Sequence, residues 1–272
     1  MTADVLTDRQ LNRATLARQL LLDRVAMAPL AAVEHLVGLQ AQEPRDPYVA
    51  LWSRLRDFDP DEVGRLVEDR VLVRIVVMRG TVHLVSADDA LVLRPLCQPV
   101  LDAELVRHQE LKDVLAALDL DRLMSALRPL VVEAGPLGGT QLRELVEATF
   151  PDLDREQARA VAWATRNRLD MVQTPPRGVW GRRGQVRTTP LDAWLGRPLD
   201  PAPSLDAVVL RYLGAFGPSS VADVTAWCRL TGMREVVDRL RPQLRPFRSE
   251  AGRELWDLPD ATRPDPDTPA PV

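Results

Sequence analysis

The sequence predicts a mainly α protein with small β wings (an α+β class), built from winged-helix, that is helix-turn-helix, units in tandem. Three observations lead there. Apolar residues recur at helical spacing through most of the 272 residues. Three times, a helical stretch gives way to paired β-branched or aromatic runs with a glycine at or near the turn. The order of helices then hairpin repeats along the chain, and a plan used three times is stronger ground than one copy.

In the first unit, TDRQLNRATLARQLLL (7–22) places Leu11, Leu16, Leu20 and Leu21 at helical spacing, and MAPLAAVEHLVGLQ (27–40) forms a second helix that stops before Pro44. DPYVALWSRL (46–55) and DPDEVGRLVEDR (59–70) both have Asp and Pro at their entrance, as helix starts prefer. VLVRIVVMRGTVHLVSA (71–87) is β-branched and long, and Gly80 divides it into two strands. The second unit has helices over 120–134, 139–150 and 155–169, then a hairpin in DMVQTPPRGVWGRRGQVRTTP (170–190). The third has helices over 204–216, 219–228 and 231–240, with Ser219 or Ser220 as a cap, and a hairpin over 244–260. Unit boundaries fall at 1–115, 116–200 and 201–260, and the proline-rich tail 261–272 is expected to be disordered or extended.

Composition narrows the function. With 46% hydrophobic residues each unit can bury a core. No run of about 18 apolar residues and no signal-peptide pattern is present, so a cytoplasmic protein away from membranes is expected. Cys97 and Cys228 sit far apart among apolar neighbours with no CxxC spacing, which predicts buried thiols and no metal site. No phosphate loop, HExxH motif or nucleophilic Ser or Cys constellation appears, and no cofactor is implied.

The net charge of −4 taken alone argues mildly against a nucleic-acid partner, but the charge is unevenly spread. Between Gln173 and Pro190 stand Arg177, Arg182, Arg183 and Arg187 with no acid, with Trp180 among them and Gly178, Gly181 and Gly184 to bend the tip. Such a wing suits backbone phosphates or a groove. Just upstream, Arg155, Arg159 and Arg166 fall within about 40° of one another on a helix. Stripe and wing together predict a footprint on double-stranded DNA. Helix 59–70 carries Asp59, Asp61, Glu62, Glu68 and Asp69 and is a poor guest for a major groove, which leaves the first unit free for another role.

The strings LVGLQAQEPRDPYVALWSRL and VMRGTVHLVSADDA resemble a bacterial family of winged-helix DNA-binding proteins that includes the AlkZ and YcaQ type of DNA glycosylases. The resemblance covers essentially the whole chain as three tandem units and implies action on damaged DNA. It also implies that Gln40-Ala41-Gln42 is the catalytic Gln-x-Gln, the family's alternative being Gln-x-Asp. A β-rich domain is expected beyond such a third unit; on that expectation a chain ending in PDTPAPV is truncated, and its activity in that form is open.

The residues themselves fit that chemistry. If the stretch before Pro44 is extended, Gln40 and Gln42 point the same way. Amides are no bases at neutral pH, but they can orient a water and stabilise a cationic sugar. That suffices where the leaving purine is already cationic. Arg79, Thr81 and His83 alternate on a strand and share a face that could hold a phosphate or a water in support, while Met78, Val82 and Leu84 belong to the core. His35 and His108 receive no role, and Lys112, the only lysine, lies too far away for Schiff-base chemistry. The expected activity is a monofunctional, metal-free glycosylase that releases cationic alkylated purines or unhooks crosslinks. A non-catalytic DNA-binding regulator and a protein-interaction scaffold are the alternatives the residues leave open.

Overall fold

A computed structural model describes residues 4–271. After a short strand β1 (Asp4–Leu6), the Thr7 hydroxyl accepts from the Gln10 amide and the Gln10 side chain answers the Thr7 amide, a reciprocal cap that starts α1 (Asp8–Arg18). The rest of the first unit is α2 (Pro29–His35), β2 (Leu39–Gln40), α3 (Asp46–Trp52), α4 (Pro60–Glu68), β3 (Leu72–Val76) and β4 (Val82–Ser86). As expected from the Asp-Pro pairs, α3 and α4 have proline in their first turn, and the Asp59 carboxylate caps α4.

Three helices then occupy a segment that carried no predicted element: α5 (Ala87–Leu96), α6 (Gln98–Arg107) and α7 (Lys112–Ala116). The Ser86 hydroxyl caps α5, while Pro95 and Pro99 divide the apolar run and mask its period. The second unit contains α8 (Leu120–Ala134), β5 (Leu137–Gly138), α9 (Gly139–Thr149), α10 (Arg155–Arg168), β6 (Met171–Gln173), β7 (Arg187–Pro190) and α11 (Leu191–Leu195). The third contains α12 (Leu205–Phe216), α13 (Val221–Cys228), α14 (Met233–Leu240), β8 (Arg245–Ser249) and β9 (Glu254–Asp257). Cys97 and Cys228 are both buried free thiols.

The first two hairpins join into one antiparallel sheet of order β2-β4-β3-β6-β7-β5. The joint is short: β3 meets β6 only at Arg74↔Gln173 and Ile75↔Val172. The first hairpin is therefore no projecting wing, as the tandem plan had suggested. Every residue of β3 and β4 is buried, because apolar side chains at both parities of VLVRIVV need cover on both faces. One face packs on Val33, Leu36, Tyr48 and Leu51, the other on Leu91, Leu93 and Val208. The hairpin tip, one 3-10 turn over Met78–Gly80, rests on α6 and α13. Gly80 is at φ +71, a conformation that strains any L side chain, and a Cβ there would also displace the Glu104 carboxylate.

The second sheet has the order β1-β8-β9, and β1 runs parallel to β8 from Asp4↔Phe247 to Leu6↔Ser249. The first segment of the chain thus packs with the third hairpin, whereas the sequence had placed it with the first unit. Its anchor is Arg18, whose Nη1 and Nη2 donate to the two carboxylate oxygens of Asp257 at 2.6 and 2.8 Å. The tail from 261 to 271 forms no helix or strand, as expected, yet it is not unpartnered. Arg9, Arg13 and Arg18 donate through Nε to the carbonyls of Pro266, Thr268 and Thr262 at 2.6, 2.6 and 3.0 Å. A proline-rich chain has few internal bonds, so its carbonyls accept from the arginines of α1 instead.

Candidate active site and nucleic-acid interface

The glutamines stand on an edge strand. Gly38, at φ +97, turns the chain out of α2 so close to β4 that a Cβ would meet Val85 Cγ1 at 2.6 Å. The chain then runs extended beside β4 with the register Leu39↔Leu84 and Gln40↔His83, and the Ala41 amide donates to the Val82 carbonyl at 2.8 Å. Leu39 and Ala41 go into the core while Gln40 and Gln42 are exposed, the alternation of an extended chain. Gln42 Oε1 accepts from the Val82 amide at 3.3 Å, which fixes that side chain and leaves its NH₂ to donate. The Gln40 amide makes no hydrogen bond to any described residue.

The structure brings Arg79, Thr81 and His83 to the same place, but in supporting positions. His83 is 2% exposed and lies directly across from Gln40. Its Nδ1 faces the Thr81 carbonyl at 2.9 Å and its Nε2 faces Arg79 Nη2 at 3.2 Å, a pairing that suits a neutral ring with its proton on Nδ1. Burial pushes its pKa down to about 4, opposed by the Thr81 carbonyl and reinforced by the Arg79 charge. Arg79 sits in the left-handed region at φ 59 and also donates to the Trp227 carbonyl at 2.8 Å, so it ties the hairpin tip to α13. The Thr81 hydroxyl is used by the Met78 carbonyl. Of the expected polar face, His83 is buried across from Gln40, while Arg79 and Thr81 are half-buried with their polar atoms already engaged.

This buried histidine has a measurable consequence. An unfolded His83 takes up its proton near pH 6.5, the folded one only near pH 4. Its contribution to stability is therefore complete above pH 6.5 and is lost as the pH falls toward 4, up to about 3 kcal/mol. Urea unfolding across this window should show a shallower pH dependence for His83→Gln than for the native chain. Equal slopes would mean that the ring titrates freely.

The basic wing lies next to the chain that follows the glutamines. Its loop 177–184 and the residues Glu43, Pro44, Arg45 and Tyr48 enclose a cavity of about 760 Å³. The Tyr48 hydroxyl donates to the Gly178 carbonyl at 2.7 Å, and its ring packs on Trp180 at 5.0 Å, leaving the indole 42% exposed. The arginines differ in their commitments. Arg182 pairs with Glu68 at 2.8 Å, an acid from the acidic helix, and Arg187 donates twice to the Pro136 carbonyl. Arg183 has no ion pair among the described residues.

The α10 stripe is arranged differently from the expected continuous footprint. Arg159 pairs with Glu110 at 3.3 Å and Arg166 with Glu104 at 3.4 Å, so the stripe faces α6 and the segment before α7. Arg155 lies with Arg143, Glu156 and Arg159 around a separate cavity of about 410 Å³. No hydrogen bond or ion pair among the described residues links these arginines to the 177–184 loop. Sequence reasoning missed Tyr48, which looks like one more apolar position of α3. It also missed Arg74, although a lone charge inside VLVRIVV was a visible signal.

Comparison with known proteins gives two matches. A family model described as DNA glycosylase AlkZ-like matches residues 33–272. The fold is similar to that of Streptomyces sahachiroi DNA glycosylase AlkZ, with a TM-score of 0.76 and 21% sequence identity over 94% of this chain and 71% of that one. No curated protein matches. No described helix is long and apolar enough to cross a membrane.

Proposed function

Because the chain belongs to the AlkZ-like family of DNA glycosylases, we propose that it hydrolyses the N-glycosidic bond of cationic alkylated purines in duplex DNA, with Gln40 and Gln42 as the catalytic pair. The observation that carries this reading is the exposure of both amides around the buried Ala41, with Gln40 opposite a neutral histidine. A purine alkylated at N7 or N3 already bears a positive charge. When its bond to C1′ breaks, both electrons go to the base, which leaves neutral, and the charge passes to the sugar. An amide carbonyl aimed at that sugar stabilises the cation, and a second amide orients a water whose oxygen bonds to C1′ while its proton passes to solvent. Extrusion of the damaged base costs only a few kcal/mol, less where the pair is already weakened. The same step at a purine tethered to the opposite strand unhooks a crosslink.

His83 defines what this site cannot do. Both ring nitrogens are engaged and the ring is neutral at physiological pH, so it offers no proton to an uncharged leaving base. Incubation with duplexes carrying N7-methylguanine should therefore release the base, while duplexes carrying uracil should not react. The product should be an abasic strand that stays uncut until alkali is added. A protein that binds duplex DNA yet leaves N7-methylguanine in place would instead be a non-catalytic DNA-binding protein.

A further inference from the structure

Of the three buried arginines among the described residues, two are paired with a carboxylate and one is not. Arg18 is paired with Asp257, and Arg94 with Asp170 at 3.1 Å. Arg74, 2% exposed, has no carboxylate within ion-pair distance among the described residues and donates only to Gln173 Oε1, at 3.3 and 3.4 Å. A buried charge without a counter-charge is strongly unfavourable, so an uncompensated guanidinium marks a place where negative charge is to be supplied. Burial and the neighbouring Arg177 push its pKa down to about 10, which leaves it cationic at neutral pH.

A second under-partnered guanidinium, that of the half-buried Arg177, lies beside it. Arg177 Nε is buried with no hydrogen-bond partner, and the same guanidinium reaches only the Gly184 carbonyl, at 3.3 Å. The loop is shaped around the pair. Gly178, at φ +91, passes so near that a Cβ would meet Arg74 Cδ at 2.3 Å. Above them lies the 760 Å³ cavity, with Arg45, Arg177, Arg182 and Arg183 on its walls against a single acid, the exposed Glu43.

We propose that this cavity binds one phosphate group, with Arg177 as the direct donor and Arg74, under Gly178, as the fixed charge beneath it. The phosphate expected there is one of the DNA backbone, held where the chain leaves Gln42. This rests on the DNA-acting reading above and adds a register to it: one phosphate, at one distance from the reacting sugar, is fixed by buried rather than surface charge.

The test is a scan in which single backbone phosphates around an N7-methylguanine are replaced by neutral methylphosphonates. In the native chain one position should lower base release by roughly ten- to hundredfold, as expected for a lost charge-assisted bond. In Arg177→Ala that position should have no further effect, whereas Arg183→Ala should retain the dependence. Arg74→Gln should weaken the same response; where it fails to fold, Arg177→Ala carries the test. Identical profiles in the native and Arg177→Ala proteins overturn the cradle. Should no base be released at all, the activity reading fails and the cradle is judged by binding to undamaged duplex. There Arg177→Ala should lower the slope of log affinity against log salt by about 0.9. A Tm raised by inorganic phosphate, relative to chloride of equal ionic strength, and lost in Arg177→Ala with the DNA slope unchanged, assigns the cradle to a free phosphate. An unchanged slope with no response to phosphate overturns it.

Discussion

Single-turnover release of N7-methylguanine should fall by about ten- to a thousandfold in Gln40→Ala and in Gln42→Ala, the range for losing one preorganised dipole. The two variants should nonetheless differ. Gln40 makes no hydrogen bond to the described residues, so its removal should leave Tm unchanged. Gln42 holds the Val82 amide, so Gln42→Ala should also lose about 1 kcal/mol of stability. Gln42→Asp keeps an acceptor near that amide and matches the family's alternative Gln-x-Asp, so it should retain more activity than Gln42→Ala. Duplex affinity should barely change in the two alanine variants, since neither glutamine carries charge. Full release by both alanine variants would remove the pair from the mechanism.

The largest effect on stability should come from Asp257. This carboxylate is fully buried and accepts from Arg18, from Arg263 and from the Leu258 amide. Asp257→Ala leaves Arg18 buried against the Leu213 carbonyl with its charge uncompensated, a loss of about 3–5 kcal/mol. For a chain of this size that lowers Tm by roughly 10 °C. The double variant Arg18→Met/Asp257→Leu removes both charges and should recover most of the loss. If Asp257→Ala melts with the native protein, the pair does not hold α1 in place.

What the sequence made legible was local. The hairpins appear as β-branched or aromatic runs with a glycine at or near the turn, the helix starts as Asp-Pro or Ser caps, and Gln40 and Gln42 as residues two apart before a proline. Each depends on neighbours within a few positions. What it hid was long-range or ambiguous. Arg18 and Asp257 are 239 residues apart and carry no pattern that links them. The helices α5 and α6 share an apolar run whose period is interrupted by Pro95 and Pro99. Alternation placed Arg79, Thr81 and His83 on one strand, but β4 begins only at Val82 and Arg79 lies in the turn before it at φ 59, so Arg79 meets His83 through the turn and not through a shared strand face. The acid missing from the wing sequence was supplied from elsewhere in the chain, as Glu68 on Arg182.

The parallel pairing of β1 with β8 sets an order for assembly. Asp4 leaves the ribosome 243 residues before its partner Phe247. At roughly 5–20 residues per second that is a wait of about 12–50 s, during which the first two hairpins can already have closed their common sheet. Throughout it Leu6 and Leu11 have no Phe247 or Leu255 to pack against. The apolar side of this segment is thus covered only when the last hairpin emerges.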